Sequence, residues 1–194
     1  ISDEVALDAD GISTAAAVGN NAALTIGGAL ASGGSVTNAS ARQVTILSAG
    51  NDSSKSFNIV GTDVNGAALT ENLTGANAGT ATSSGYFKTI TSITAVGNPA
   101  GNVSAGINNN ALGVIFAGRT RLQGFSFVSG GSAGKANLRD GGATGTELIQ
   151  FRSIGTDSQS DGARGFPDEG ILFKDGAYVT FIVGTMDLMM FYHA

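Results

Sequence analysis

The chain has 194 residues, a formal net charge of −5 and only 13% charged residues, about half the share of an ordinary globular domain. It contains no Cys, no Trp, one His and two Pro, but 30 Gly. The missing thiols exclude a disulfide framework, a thiolate zinc site and a cysteine nucleophile; the acidic balance argues against a nucleic-acid partner, which needs a basic face; and no apolar run approaches the roughly 18 residues that cross a bilayer as a helix.

Residues 1–20 show no clear period. Asp3, Glu4, Asp8 and Asp10 surround Val5 and Leu7, and an Ala-rich stretch follows. The pattern predicts an N-terminal arm, frayed or ordered by a neighbour. No basic segment leading into an apolar one opens the sequence, so no secretory signal is expected. Ala15 to Ala31 is Ala-rich, yet Gly19, Gly27 and Gly28 each cost a helix about 1 kcal/mol relative to Ala, so no helix is expected there.

From Ala22 onward the sequence reads as short strands. Leu24-Thr25-Ile26 and Val44 to Leu47 are rich in β-branched residues and are followed by Gly33-Gly34 and Gly50-Asn51-Asp52. Phe57 to Gly61 and Ala67 to Leu73 flank Asn65-Gly66, a hairpin signal because a type I′ turn needs positive φ at both central residues. Phe87 to Val96 is the longest run, with Val103 to Ile107 as its candidate partner. A second block opens near Gly113 with Val114 to Phe116 and Leu122 to Val128. Ala136 to Arg139 and Thr146 to Ile154 follow, and Gln159 to Arg164 reads as a loop. Ile171 to Phe173 and Tyr178 to Val183, around Asp175-Gly176, form a second hairpin signature, and Met186 to Tyr192 comes last. Turn signals every 8 to 12 residues or so predict an all-β fold of two sandwich or barrel-like modules. The expected organisation is an arm (1–20), a β-sandwich module (21–110) and a second, jelly-roll or barrel-like β module (111–194).

Little here carries chemistry. Gly130 to Gly134 matches G-x-S-x-G around Ser132, with later acids and His193 in triad order, but the nucleophile elbow needs a helix after the turn and none follows. Gly134-Lys135 lacks both the earlier Gly and the Ser/Thr of a P-loop. Asp8-Ala9-Asp10-Gly11 lacks the later ligands of a calcium loop, and the acidic cluster Asp157, Asp161, Asp168 and Glu169 reads as a solvated loop. No catalytic residue, cofactor or metal is expected, and the protein is read as no enzyme. A sugar-binding module is a weaker alternative, since stacking platforms are scarce: Tyr86, Tyr178 and Tyr192 are the three tyrosines. The candidates for an assembly interface are Val5 and Leu7 on the arm, Arg119 and Arg121 at alternate positions on one strand, and Met189 and Phe191 on one face of a final strand that is apolar on both.

Residues 41–106 carry a recognisable series: Arg42 to Ile46, then Ala-Gly-Asn-Asp, Phe57 to Asp63, Asn65-Gly66, Thr70 to Gly75 and Phe87 to Ile93. The series resembles a module of tailed-bacteriophage virion structural proteins. Leu138 to Phe151 and Pro167 to Tyr192 resemble a second phage structural module. The resemblance implies a capsid decoration or cement protein on the outer head shell. It would bind the major capsid protein and copies of itself, commonly as a homotrimer, without nucleic acid or membrane. Made in the host cytoplasm, it would reside on the capsid surface. A tail or head–tail connector component is the alternative.

Overall fold

The structure, a computed structural model, describes residues 7–129, 133–153, 160–183 and 186–193. It is all-β, with no helix among the described residues. Two compact units meet in sequence between Asn109 and Asn110.

The N-terminal unit contains β1 (Asp8–Ala17), β2 (Ala31–Ser32), β3 (Ser35–Ser48), β4 (Ser56–Thr62), β5 (Ala68–Thr74), β6 (Thr80–Val96) and the first half of β7 (Asn102–Phe116). One hydrogen-bonded sheet carries the unit, in the order β7-β3-β6-β4-β5, with β1 on β7 and β2 on β3; two stacked sheets were expected. From Asp8 onward the expected arm is instead an integral strand. β1 pairs antiparallel with β7, and Ile12 is fully buried in the core. The acidic flanks hid this, because only a short central part of the strand faces inward. Val103 to Ile107 therefore pairs with β1, not with the Phe87 run. Leu24 to Ile26 is not a strand. The backbone there bonds β6 through Leu24 N–H to the Ile93 carbonyl (2.8 Å), and the glycines after it donate to Ile12 of β1.

The hydrophobic spacing of β6 has a physical cause. Phe87, Ile90 and Ile93 are all fully buried although they lie three residues apart, where a flat strand would alternate by two. The register shifts between Val60 and Gly61 against β4, and again within the β3 pairing. Against β4 the extra residue is Thr91 on β6, which resets the inward face between Ile90 and Ile93; against β3, between Thr37 and Arg42, the extra residues lie on β3. Thr91, in the first bulge, donates its hydroxyl to the Val60 carbonyl at 3.1 Å. Gly61 is required opposite it, because a Cβ there would collide with the Thr89 backbone.

The β4–β5 hairpin forms, but not through a two-residue type I′ turn. Thr62 pairs with Ala68, leaving a five-residue loop in which Gly66 has φ +82°. The Asp63 carboxylate accepts the Asn65 and Ala67 N–H groups at 2.8 and 2.9 Å. This is the longer hairpin loop, organised by an acidic first residue.

The C-terminal unit has two sheets. The second half of β7, β8 (Thr120–Ser129), β9 (Gly134–Asp140), β10 (Thr146–Ser153), β11 (Ser160–Gly165), β12 (Ile171–Phe173), β13 (Ala177–Val183) and β14 (Met186–His193) build it. One sheet runs β10-β9-β13-β7; in the other, β8 is flanked by β11 and β12 on one side and by β14 on the other. Their inner faces share one core: Leu138, Phe151, Val179 and Phe181 from the first sheet, Leu122, Phe173 and Leu188 from the second. β13 is central, and Tyr178 to Phe181 is buried on both faces.

Two expectations fail in this unit. Ser160 to Gly165 is strand β11, not loop, because β8 pairs with its backbone whatever its polar side chains do. β12 and β13 do not form a hairpin; β12 pairs with β8, while β13 pairs with β7 and β9. The Asp140 carboxylate explains the divergence. It accepts the N–H groups of Lys174 (2.9 Å) and Asp175 (2.7 Å), so the Asp-Gly turn is a corner that carries the chain from one sheet to the other.

Candidate functional site

The motif residues that stand out in the sequence are mostly committed to holding loops. Gly50 abuts Ala100, with no room for a side chain. Asn51 accepts the Ser53 N–H at 3.2 Å, and Asp52, fully buried, accepts the Ala100 N–H at 2.7 Å. Glu71 reaches from β5 to β6, where its carboxylate takes the N–H groups of Ser84 and Gly85 at 2.8 Å each and the Ser84 hydroxyl at 3.2 Å. The Arg42 guanidinium, buried on β3, donates to the carbonyls of Asn108 and Asn109 at 3.3 Å each. These groups satisfy backbone that would otherwise be orphaned.

What remains exposed and unusual lies on β8 and β14. Antiparallel pairing sets Met189 opposite Ser126, Phe191 opposite Gly124 and His193 opposite Arg121. Opposed residues share a face, so Met189, Phe191, His193 and Arg121 line the outer side of this sheet, while Leu188 and Met190 turn to the core. Gly124 is set by β11, since a Cβ there would stand 2.9 Å from the Arg164 carbonyl oxygen, while the Phe191 ring is in ordinary contact at 3.5 Å. Met189 is 63% exposed, Phe191 55% and Tyr192 48%. The Tyr192 ring leans on Phe116 at 5.6 Å between centroids.

Beside this row is a shallow cleft of about 190 Å³, lined by Arg119, Thr120, Arg121, Leu172 and His193. Arg121 forms an ion pair with Glu169 at 2.9 Å, and Glu169 is 78% exposed. Arg119 precedes β8 in a bend and is exposed, with no ion-pair partner among the described residues. The Thr120 hydroxyl donates to the His193 carbonyl at 2.8 Å, tying the end of β14 to the cleft. Two further cations, Arg139 on β9 and Arg152 on β10, are met internally: Arg139 bonds Glu147 at 3.1 Å, and Arg152 donates to Gln150 at 2.7 Å.

Three of the six sequence candidates, Arg121, Met189 and Phe191, thus fall on one sheet of the C-terminal unit, with Arg119 in the bend that leads into it. Leu7 is exposed (59%) and belongs to the N-terminal unit; Val5 lies outside the described residues, as do Ser132 and Asp157. Glu169 is the acid of the Arg121 ion pair and Asp168 precedes it in sequence, and no cluster of three His, Cys, Asp or Glu occurs among the described residues. Of the tyrosines, Tyr178 is buried and only Tyr192 is well exposed. Sequence reasoning missed Tyr192, His193 and Leu172 as members of the patch. The Phe-Tyr-His ending was visible, but the register that sets it against β8 was not. No protein-family model, curated protein or solved structure matches the chain.

Proposed function

We propose that this protein is a structural subunit of a tailed-phage particle, acting as a decoration or cement protein on the outer head shell. Its partners would be the major capsid protein and further copies of the chain. The observation that supports the reading is the exposed pair Met189 and Phe191 on one face of β14, with Arg119 and Arg121 nearby. Covering Met189 and Phe191 contributes about 1–2 kcal/mol each, at about 25 cal/mol per Å² of apolar surface. Association entropy offsets much of that for one contact, and the repeated symmetry of a shell multiplies the remainder. The chemistry is adhesion by area, with no bond made or broken.

Counting the chain in purified particles by quantitative mass spectrometry tests this. A copy number that scales with the capsid shell supports decoration. A number matching one ring supports the connector or tail alternative, and absence from particles overturns both.

A further inference from the structure

The cleft at the start of β8 is a row of cross-strand neighbours. Leu172 of β12 pairs with Arg121 on one side, and His193 of β14 pairs with it on the other, so the three share the outer face of the sheet. Arg119, two residues ahead, lines the same cleft. The Arg121 guanidinium already holds one carboxylate, that of Glu169 at 2.9 Å, and also donates to the Glu169 carbonyl at 3.4 Å. The Glu169 side chain is 78% exposed, and a solvated pair of this kind is weak. Arg119 is exposed and has no ion-pair partner among the described residues. Two guanidiniums thus face one loosely held acid, a local cationic surplus on a chain of net charge −5.

We propose that this cleft binds the carboxylate of an acidic side chain presented by a partner protein. The inference rests on the reading of the chain as an adhesive subunit and names what that surface takes. Three features select the ligand. The first is volume: about 190 Å³ falls below the roughly 300–1,000 Å³ of pockets that enclose a small molecule, yet has room for one side chain reaching in from a larger body. The second is chemistry. A guanidinium fork matches a planar carboxylate, and Leu172 offers an apolar wall to the methylene stem of a glutamate. The third is position. Met189, Phe191 and His193 stand at alternate places along β14, so the exposed apolar pair begins about 7 Å from the cleft, and one partner surface reaches both. A nucleic acid fits these observations poorly, because a polyanion needs a run of cations and this acidic chain repels it.

Titrations of the intact chain, followed by the backbone amide NMR signals of Thr120, Arg121, Leu172 and His193, test the site. The probes are acetyl-Gly-Leu-Glu-Leu-Gly-amide, its Gln counterpart and a short oligothymidylate. We expect the Glu peptide to move these signals and to bind about tenfold more tightly than the Gln peptide at low salt, the difference shrinking as salt rises. Arg119→Gln, at an exposed position outside the strands, should weaken the Glu peptide by about fivefold or more while the melting temperature holds. Glu169→Gln carries the discriminating sign. Removing the resident acid should tighten the Glu peptide by about twofold to fivefold, which loss of a purely structural ion pair does not do. Equal binding of the two peptides, or binding of neither, overturns the inference. So does a Glu169→Gln chain that binds the Glu peptide no better than the parent, and an oligothymidylate that binds more tightly than the Glu peptide points to a phosphate partner instead. Particle counts are read separately. A Glu peptide that binds here while the chain is absent from particles refutes the proposed function alone; a chain counted in particles that ignores the peptide refutes this site alone.

Discussion

The Glu71 carboxylate offers the sharpest test of whether the Thr70 to Gly75 motif is architectural. It sits half-buried and gathers three donors from Ser84 and Gly85, and the missing Cβ of Gly85 is what lets it approach. Hydrogen bonds to a charged group contribute about 1.5–3 kcal/mol each when buried. Partial exposure and three donors sharing one carboxylate reduce the sum, so Glu71→Ala is expected to cost about 2–3 kcal/mol. Glu71→Gln keeps one acceptor oxygen and turns an amide N–H toward the second backbone donor, which sets its cost at about 1–2 kcal/mol. At roughly 2–4 °C per kcal/mol for a chain of this size, the alanine variant should melt about 4–12 °C lower. Thermal melting by circular dichroism reads the shift, and amide exchange at Ser84 and Gly85 locates it, with protection falling there first. A melting point within a degree of the parent would refute the reasoning. So would a glutamine variant as damaged as alanine, because the count of acceptor oxygens would then not govern the effect.

Two further outcomes follow from the same geometry. Deleting Asp8–Ala17 removes a ladder with β7 and the fully buried Ile12, whose side chain alone accounts for about 2–5 kcal/mol; the N-terminal unit should lose its cooperative melt in calorimetry, and a truncated chain as stable as the parent would return this segment to the status of an arm. Arg121→Ala breaks an ion pair whose acid is largely solvated, so urea titration should show a stability change of at most about 1 kcal/mol, while retention on purified particles should drop.

Fold class was legible in the sequence because it depends on local signals: β-branched runs, glycine-rich punctuation and the absence of any helical stripe. Strand pairing was not. Asp175-Gly176 reads as a hairpin turn, and nothing nearby reveals that Asp140, some 35 residues earlier, would claim its backbone N–H groups. The step of three from Ile90 to Ile93 is decoded only by the bulge at Thr91 against β4. β1 was concealed by its acids, since its buried centre, Gly11 to Ser13, holds a single large apolar residue and leaves no alternation to count. At the candidate site, the exposed Met189 and Phe191 and the alternating Arg119 and Arg121 were visible as residue types. Their convergence depended on the β8–β14 register, a pairing between residues more than 50 positions apart.

That long-range pairing sets an order of events during synthesis. β8 leaves the ribosome well before β14 exists, and until β14 arrives one flank of β8 has no neighbour, with Phe125 and Phe127 only partly enclosed. The N-terminal unit can mature first, as contacts closer in sequence form sooner. The second unit must wait with a sticky seam open. Translation stalled or terminated before Met186 would therefore release a half-finished sandwich prone to clumping, and chaperones would meet this protein chiefly through that seam.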